Sequence, residues 1–416
     1  MFSKVHLALV VALSISISYA EAQNVNNLNL LPLGDKESLM GNTGTGGVHS
    51  TGAVFYNPAA LTQLEGNSFS LSGSAYLKYK IEAEPLYRFG NTDIDFTAED
   101  YESVPTSVIM VRKVKDWKVG LSFMVPMEFK YEGENTWYIP TVNGENQKIK
   151  INQNFHEKMF LVGLSFARKL NNGWSVGGTF FAQNYGYLSS LNSQYRGTDY
   201  NLISNTVVRE KLSPINLMFV AGIHKQWEKL SAGLRIATPS INIAGKGSSY
   251  RYELTGVLGN NIVSEYDYTN IKTGFSSPLD LRAGVTYNWN EKFTTSCDVS
   301  FTLPQEFQLL KHDSLNGYIS SDGSFRASFG VDYSITEKFT LLGGGSYFNS
   351  YYTSDEIDNH LDFVSGFVGV KMVTNHIETS LGYFYSKGFG EAVSPTLTSN
   401  EYYEYTGIFL GTNYKF

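Results

Sequence analysis

Residues 67–81 read NSFSLSGSAYLKYKI, and their spacing decides the fold class. Phe69, Leu71, Ala75, Leu77, Tyr79 and Ile81 alternate with Ser68, Ser70, Ser72, Ser74, Lys78 and Lys80. A period of two is the signature of an extended strand, with successive side chains on opposite faces. One face is apolar and the other is serine and lysine, as in a wall between lipid and a polar lumen.

The same reading extends along the chain. Trp117, Val119, Leu121, Phe123, Val125, Met127 and Phe129 alternate with Lys118, Ser122, Glu128 and Lys130. About fourteen such strands follow one another from residue 67 to the end, an even number as a closed bacterial barrel requires. Every second connection is a tight turn: Lys115-Asp116, Asn171-Asn172, Trp227-Glu228, Asn290-Glu291, Thr336-Glu337 and Asn375-His376. The connections between them are long, at about 83–102, 132–154, 190–205, 246–274, 309–323, 351–360 and 389–400. Short periplasmic turns and long outer loops give this alternation. The expected fold is all-β: a roughly 14-stranded antiparallel transmembrane β-barrel over residues 67–416, with residues 23–66 as an N-terminal plug segment. That segment has no strand alternation, and either hangs in the periplasm or folds into a lumen too wide for side chains alone to fill.

The ends agree. Lys4, the apolar run Val5–Ser18 and Ala20-Glu21-Ala22 form a cleavable signal peptide over residues 1–22. The last strand places Ile408, Leu410, Tyr414 and the terminal Phe416 on one face, the type of ending that barrel-assembly machinery reads. Mean hydropathy is −0.19, and no later stretch offers the ~20 apolar residues of a membrane helix, which an alternating barrel wall does not need. Aromatics make up 14% of the chain, with 28 Tyr and 27 Phe to supply interfacial girdles. Net charge is −7, which gives no support for nucleic-acid binding, and the single Cys297 excludes an internal disulfide. The chain is read as a monomer of the outer membrane, in contact with its lipids.

Gly41, Gly44, Gly46, Gly47 and Gly52 precede Tyr56-Asn57-Pro58-Ala59-Ala60-Leu61. This stretch resembles the glycine-rich plug and Asn-Pro-Ala motif of the FadL/TodX family of outer-membrane transporters. Val104-Pro105 through Lys118-Val119-Gly120-Leu121 to Val125-Pro126 is similar to that family's second and third strands. Ser277-Pro278-Leu279 through Cys297-Asp298 to Phe301-Thr302 is similar to its middle strands, and Phe329–Tyr333 through Lys338–Leu341 to the following hairpin. The resemblance implies a plugged barrel that moves long-chain fatty acids or aromatic hydrocarbons, releasing them sideways through a wall gap at a kinked third strand. It implies equally the secretion-linked scaffolds and haem receptors grouped with that family. An outer-membrane enzyme is a further alternative, but no nucleophile–base motif marks one. An open porin is another.

The candidate transport residues follow. Pro126 cannot donate to a ladder, so it marks a wall break or lies above the membrane where pairing is loose. Asn57, Pro58 and Ala59 begin a plug helix, Asn57 as cap and Pro58 in the first turn. By resemblance they pack beside the wall gap. Arg235 and Arg282 face the lumen if Leu230, Leu234, Leu281 and Val285 face lipid, and the same register turns Asp280, Asp298, Arg326 and Asp332 inward. An arginine there binds a carboxylate head group, or joins a salt-bridge ladder, Arg282 to Asp298 in particular, that also holds the plug. Leu254 and Leu258, with Val257, Ile262 and Val263, form an outer capture groove or strands continued above the membrane. The histidines make no ligand-spaced pair, so no metal or cofactor is expected. Asp93, Asp95, Glu99 and Asp100 read as a solvated acidic loop or a site for bridging cations.

Overall fold

The computed structural model describes residues 31–89, 92–140, 146–197, 202–257, 260–315, 318–354, 358–395 and 397–416. The expected signal peptide and the first residues of the plug segment lie outside them. The wall is one antiparallel sheet. Its first six strands are β1 (Ser68–Phe89), β2 (Thr92–Val114), β3 (Trp117–Pro140), β4 (Asn146–Lys169), β5 (Trp174–Arg196) and β6 (Ile203–Gln226). Then come β7 (Leu230–Ala237), β8 (Ile241–Val257), β9 (Asn260–Thr273), β10 (Asp280–Asn290) and β11 (Phe293–Thr302). Short pieces β12 (Gln305–Gln308), β13 (Leu310–Lys311) and β14 (Tyr318–Ser321) lead to β15 (Ser324–Ser334). The wall ends with β16 (Phe339–Ser354), β17 (Asp358–Val373), β18 (Ile377–Val393) and β19 (Thr398–Lys415). With β7–β8, β9–β10, β11–β13 and β14–β15 each forming one interrupted stave, the barrel has fourteen. It closes where Ser68 of β1 pairs with Lys415 of β19 and Glu84 with Asn400. Closure joins the first and last strands, so neither is left as an open edge of the sheet.

The tight turns are where alternation places them. Lys115 in its two-residue turn and Asn172 in a 3-10 turn over Asn171–Gly173 adopt positive φ, +54° and +56°. The long connections differ from the expectation of loops. Residues 83–102, 132–154 and 246–274 are mostly strand, in the hairpins β1–β2, β3–β4 and β8–β9 that rise beyond the membrane. Antiparallel pairing satisfies backbone groups that an irregular loop of that length would leave to water.

The lipid face is apolar: Phe69, Leu71, Leu121, Phe123, Leu234, Leu281, Val285, Leu381 and Leu410 are all exposed. Two strands reverse their phase part-way up, against the sequence expectation. In β1 a bulge between Ser74 and Tyr76 leaves Ala75 and Tyr76 both exposed. Leu77, Tyr79 and Ile81, expected in lipid, are therefore buried in the lumen, and Lys78 and Lys80 turn outward. In β3 the register against β4 shifts by one residue between Met124 and Met127. Met127 and Phe129, likewise expected in lipid, are buried inside. One inserted residue exchanges the two faces of everything above it.

Residues 31–66 fill the lower lumen. They contain a 3-10 turn (Glu37–Leu39), one helical turn (Ala53–Tyr56) and a second 3-10 stretch (Pro58–Gln63). Leu31, Leu39, Val54, Tyr56 and Leu61 are fully buried, so this segment is a packed plug inside the barrel.

Candidate functional site

The plug is fixed to the wall by backbone contact. Asn57 caps Pro58–Gln63, its Oδ1 accepting the Ala59 N–H at 3.1 Å. Its Nδ2 donates to Thr45 O at 2.9 Å and to Ile223 O of β6 at 3.0 Å. The wall meets this motif with glycines. A methyl on Gly222 would overlap Asn57 Oδ1, and one on Gly233 would overlap Thr45 O. Gly177, Gly284, Gly330 and Gly344 continue the belt against Pro58, Thr45, Met40 and Gly41. Asn57-Pro58-Ala59 thus lies against β5, β6 and β7 and not beside Pro126. Among the described plug residues, Leu31 reaches Pro126, its N–H donating to Pro126 O at 3.0 Å. Within the plug, Glu37 is fully buried, and neither carboxylate oxygen has a hydrogen-bond partner. The nearby Ser50 hydroxyl donates to Asp35 instead.

Above the plug lies a row of charge. Arg235 and Arg282 are paired across β7 and β10, and Ser300 of β11 lies opposite both Arg282 and Arg326. All three arginines are buried toward the lumen, as are Asp280, Asp298 and Asp332. The expected Arg282–Asp298 ion pair does not form. Arg235 pairs with Asp280, while Asp298 Oδ2 accepts the plug N–H groups of Gly44 and Thr45 at 3.0 and 2.9 Å. Arg235 and Arg282 lie over the plug rings of Phe55 and Tyr56 at 5.1 and 5.5 Å. Arg282 keeps two buried nitrogens, Nε and Nη1, without a hydrogen-bond partner. Lys36 of the plug pairs with Asp332. Loss of the register's diagonal pair has a simple cause: the plug backbone offers Asp298 two N–H donors at once.

Higher still the interior is aromatic. Tyr79 meets Phe129 and Tyr405 edge-on at 5.7 Å, and Tyr131 stacks on Phe155 at 5.5 Å. Phe348 stacks on Phe363 at 4.6 Å and Tyr185 on Phe275 at 3.9 Å. The phase reversals of β1 and β3 put Tyr79, Phe129 and Tyr131 there.

The wall itself lapses at the same height. Below, β2 and β3 pair up to Ser107 opposite Met124; above, they meet again at Glu99 opposite Glu132. Residues 100–106 and 125–131 are not paired to one another, although β1 and β4 pair with them on their far sides, each through a register shift. Pro126, fully buried, lies in this interval. Pairing between β2 and β3 thus lapses in the interval that holds Pro126. Side chains cross it. Lys130 pairs with Asp100 at 3.0 Å. Below that pair, the ligand atoms of Glu102, Glu128 and His156 lie within 4.8 Å of one another, and Lys158 reaches both Glu128 oxygens at 2.7 and 2.8 Å.

Leu254 is half-buried in β8, opposite Asn205 of β6 and Val263 of β9, and Leu258 lies outside the described residues. Of the two readings of 246–274, the strand continuation is the one found, with Ile262 and Val263 exposed along it. Asp93 pairs with Arg88 across the tip of the first hairpin. The ionic cluster in the lapse was missed by sequence reasoning, which put Glu128 and Lys130 in the lumen. Its signal was polar alternation continuing past a strand proline.

Residues 12–358 match the family described as outer membrane protein transport protein (OMPP1/FadL/TodX). No curated protein matches the sequence. Among solved structures, the Pseudomonas putida toluene transporter TodX is similar at 13% identity and TM-score 0.63, over 94% of this chain and 100% of that one. A Pseudomonas aeruginosa FadL homologue is similar at 14% identity and TM-score 0.59, over 93% and 99%. The Ralstonia pickettii toluene transporter TbuX gives 14% and 0.54, over 94% and 99%. At these identities the likeness is one of fold.

Proposed function

Because the chain belongs to the OMPP1/FadL/TodX family of outer-membrane transport proteins, we propose that it passes hydrophobic small molecules sideways through its own wall, with a long-chain acid as cargo. The observation that carries this reading is the unpaired interval between β2 and β3. The route downward is obstructed: the plug is buried through most of its described length, and six wall glycines meet it in close contact. Cargo descending from the outer hairpins passes an aromatic interior, in which Glu157 and Glu401 are held by the Tyr185 and Tyr403 hydroxyls. The lapse in the ladder is the remaining way out. On the membrane side it adjoins a hollow of about 450 Å³ lined by Leu71, Gly73, Ala75, Pro105 and Leu410, which suits an acyl chain. A neutral hydrocarbon offers nothing to the two unpartnered nitrogens of Arg282, whereas a carboxylate accepts a charge-assisted hydrogen bond from either of them. That favours an acid over toluene, the cargo named for two of the similar structures.

Pro126→Val tests the route. It supplies a strand former and a backbone donor where the ladder lapses. Uptake of a pyrene-labelled long-chain fatty acid by cells carrying the variant should fall, with surface level and heat-modifiable mobility unchanged. Normal uptake in a correctly folded variant would count against a lateral exit.

A further inference from the structure

The lapse is not a register error. Ser107 opposite Met124 and Glu99 opposite Glu132 belong to one phase, with seven residues on each strand between the two pairs. Neither strand carries an insertion relative to the other, so the interval could zip without slipping. Besides the two prolines in the interval, Pro105 and Pro126, the pairings on the far sides are irregular. β3 has one extra residue against β4 between Met124 and Met127, and β2 steps out of phase with β1 between Ser72 and Gly73 and returns by Leu77. Both strands bow, as bulged strands do.

Between the bowed strands the contacts are ionic. Asp100 and Glu102 come from β2, Glu128 and Lys130 from β3, His156 and Lys158 from β4. Among the described residues, Lys130–Asp100 is the one ion pair that joins β2 to β3. Glu128 is 0% exposed, with Lys158 on both its oxygens. A buried ion pair is a poor stabiliser compared with apolar packing of the same volume. Its place here is unusual, because Met127, Phe129 and Tyr131 make the neighbouring inner surface aromatic and apolar. Contacts of this kind can part and re-form without disturbing the ladders on either side.

We propose that Asp100–Lys130, backed by the Glu102–Glu128–His156–Lys158 cluster, is a latch that holds the side opening shut until cargo parts it. The proposal rests on the lateral-exit reading, and the test separates the two. All variants carry Cys297→Ser, and the readout is uptake of pyrene-labelled long-chain fatty acid by cells with equal surface levels of heat-modifiable barrel. Lys130→Gln should raise the uptake rate about two- to fivefold, the span that a partly exposed ion pair supports. Asp100→Lys combined with Lys130→Asp should return it to the parental rate. Raised ionic strength should speed the parent and leave Lys130→Gln unchanged, because the pair is open to screening. Tyr101→Cys with Lys130→Cys, which occupy opposed positions in the shared phase, should stop uptake when oxidised and exceed the parental rate when reduced. If the oxidised pair blocks uptake while Lys130→Gln and salt change nothing, the latch is overturned and the lateral exit stands. If the oxidised pair leaves uptake intact, the lateral exit fails and the latch falls with it.

Discussion

Replacing Glu37 by Gln should flatten the pH dependence of barrel stability. Glu37 is fully buried in the plug, and methyls on Gly34 or Gly52 would come within 2.7 Å of its carboxylate. Burial first, and the charge of Asp35 second, push its carboxyl up from 4.5 to about 8. Below the lower value both folded and unfolded chains hold the proton, and the group contributes no pH dependence. Between the two values the folded chain keeps a proton that the unfolded chain has released, so stability falls as pH rises. The slope is about 1.4 kcal/mol per pH unit, and the whole interval amounts to roughly 5 kcal/mol. Above the upper value both states are ionised and the loss is complete. Gln has nearly the same shape and no charge. The variant and parent should therefore unfold at similar urea concentrations near pH 5 and diverge progressively to pH 9, the variant being the more stable. Urea titrations of the refolded barrel in detergent, read by gel mobility without boiling, measure this. Parallel pH profiles for the two proteins would refute the reasoning.

Arg282→Met should raise the half-saturating concentration of a long-chain acid by roughly ten- to a hundredfold, the worth of a charge-assisted hydrogen bond, and leave a neutral hydrocarbon of equal length unaffected; competition uptake with the two probes compares them. Gly222→Ala should drive a methyl into Asn57, cost about 1–3 kcal/mol of plug anchoring, and admit small polar solutes that the parent excludes; antibiotic influx reads the leak, and an unchanged rate would show that the plug yields without loosening.

Much of this architecture was legible because its signals are local. A residue at positive φ in a two-residue turn, such as Lys115, has a sequence signature, and so does alternation between turns. The inward register of Arg235, Arg282 and Asp298 followed from their exposed neighbours Leu234, Leu281 and Cys297. The reversals in β1 and β3 were illegible for a definite reason. A bulge changes which face a residue uses without changing the period, and Tyr79 and Phe129 suit lipid as well as they suit an aromatic lumen. The partner of Asp298 was hidden differently. Sequence register places side chains on the wall, but the competing donors belonged to a plug whose path across the wall no periodicity encodes. The same holds for Asn57, whose capping role is local and whose contact with Ile223 is not.

The belt of glycines has a consequence for how such a molecule is made. The plug is the earliest part of the described chain to leave the ribosome, and the closing seam joins Ser68 to Lys415, nearly the whole length of the wall apart in sequence. Asn67, where the plug ends, exchanges two backbone hydrogen bonds with Phe416, the last residue. The final pairing event therefore fastens container and contents together, because the strand that closes the seam also holds the end of the plug. A plug borrowed from a relative would meet a track moulded to other protrusions, so exchange of that segment alone should fail at assembly before any question of cargo arises.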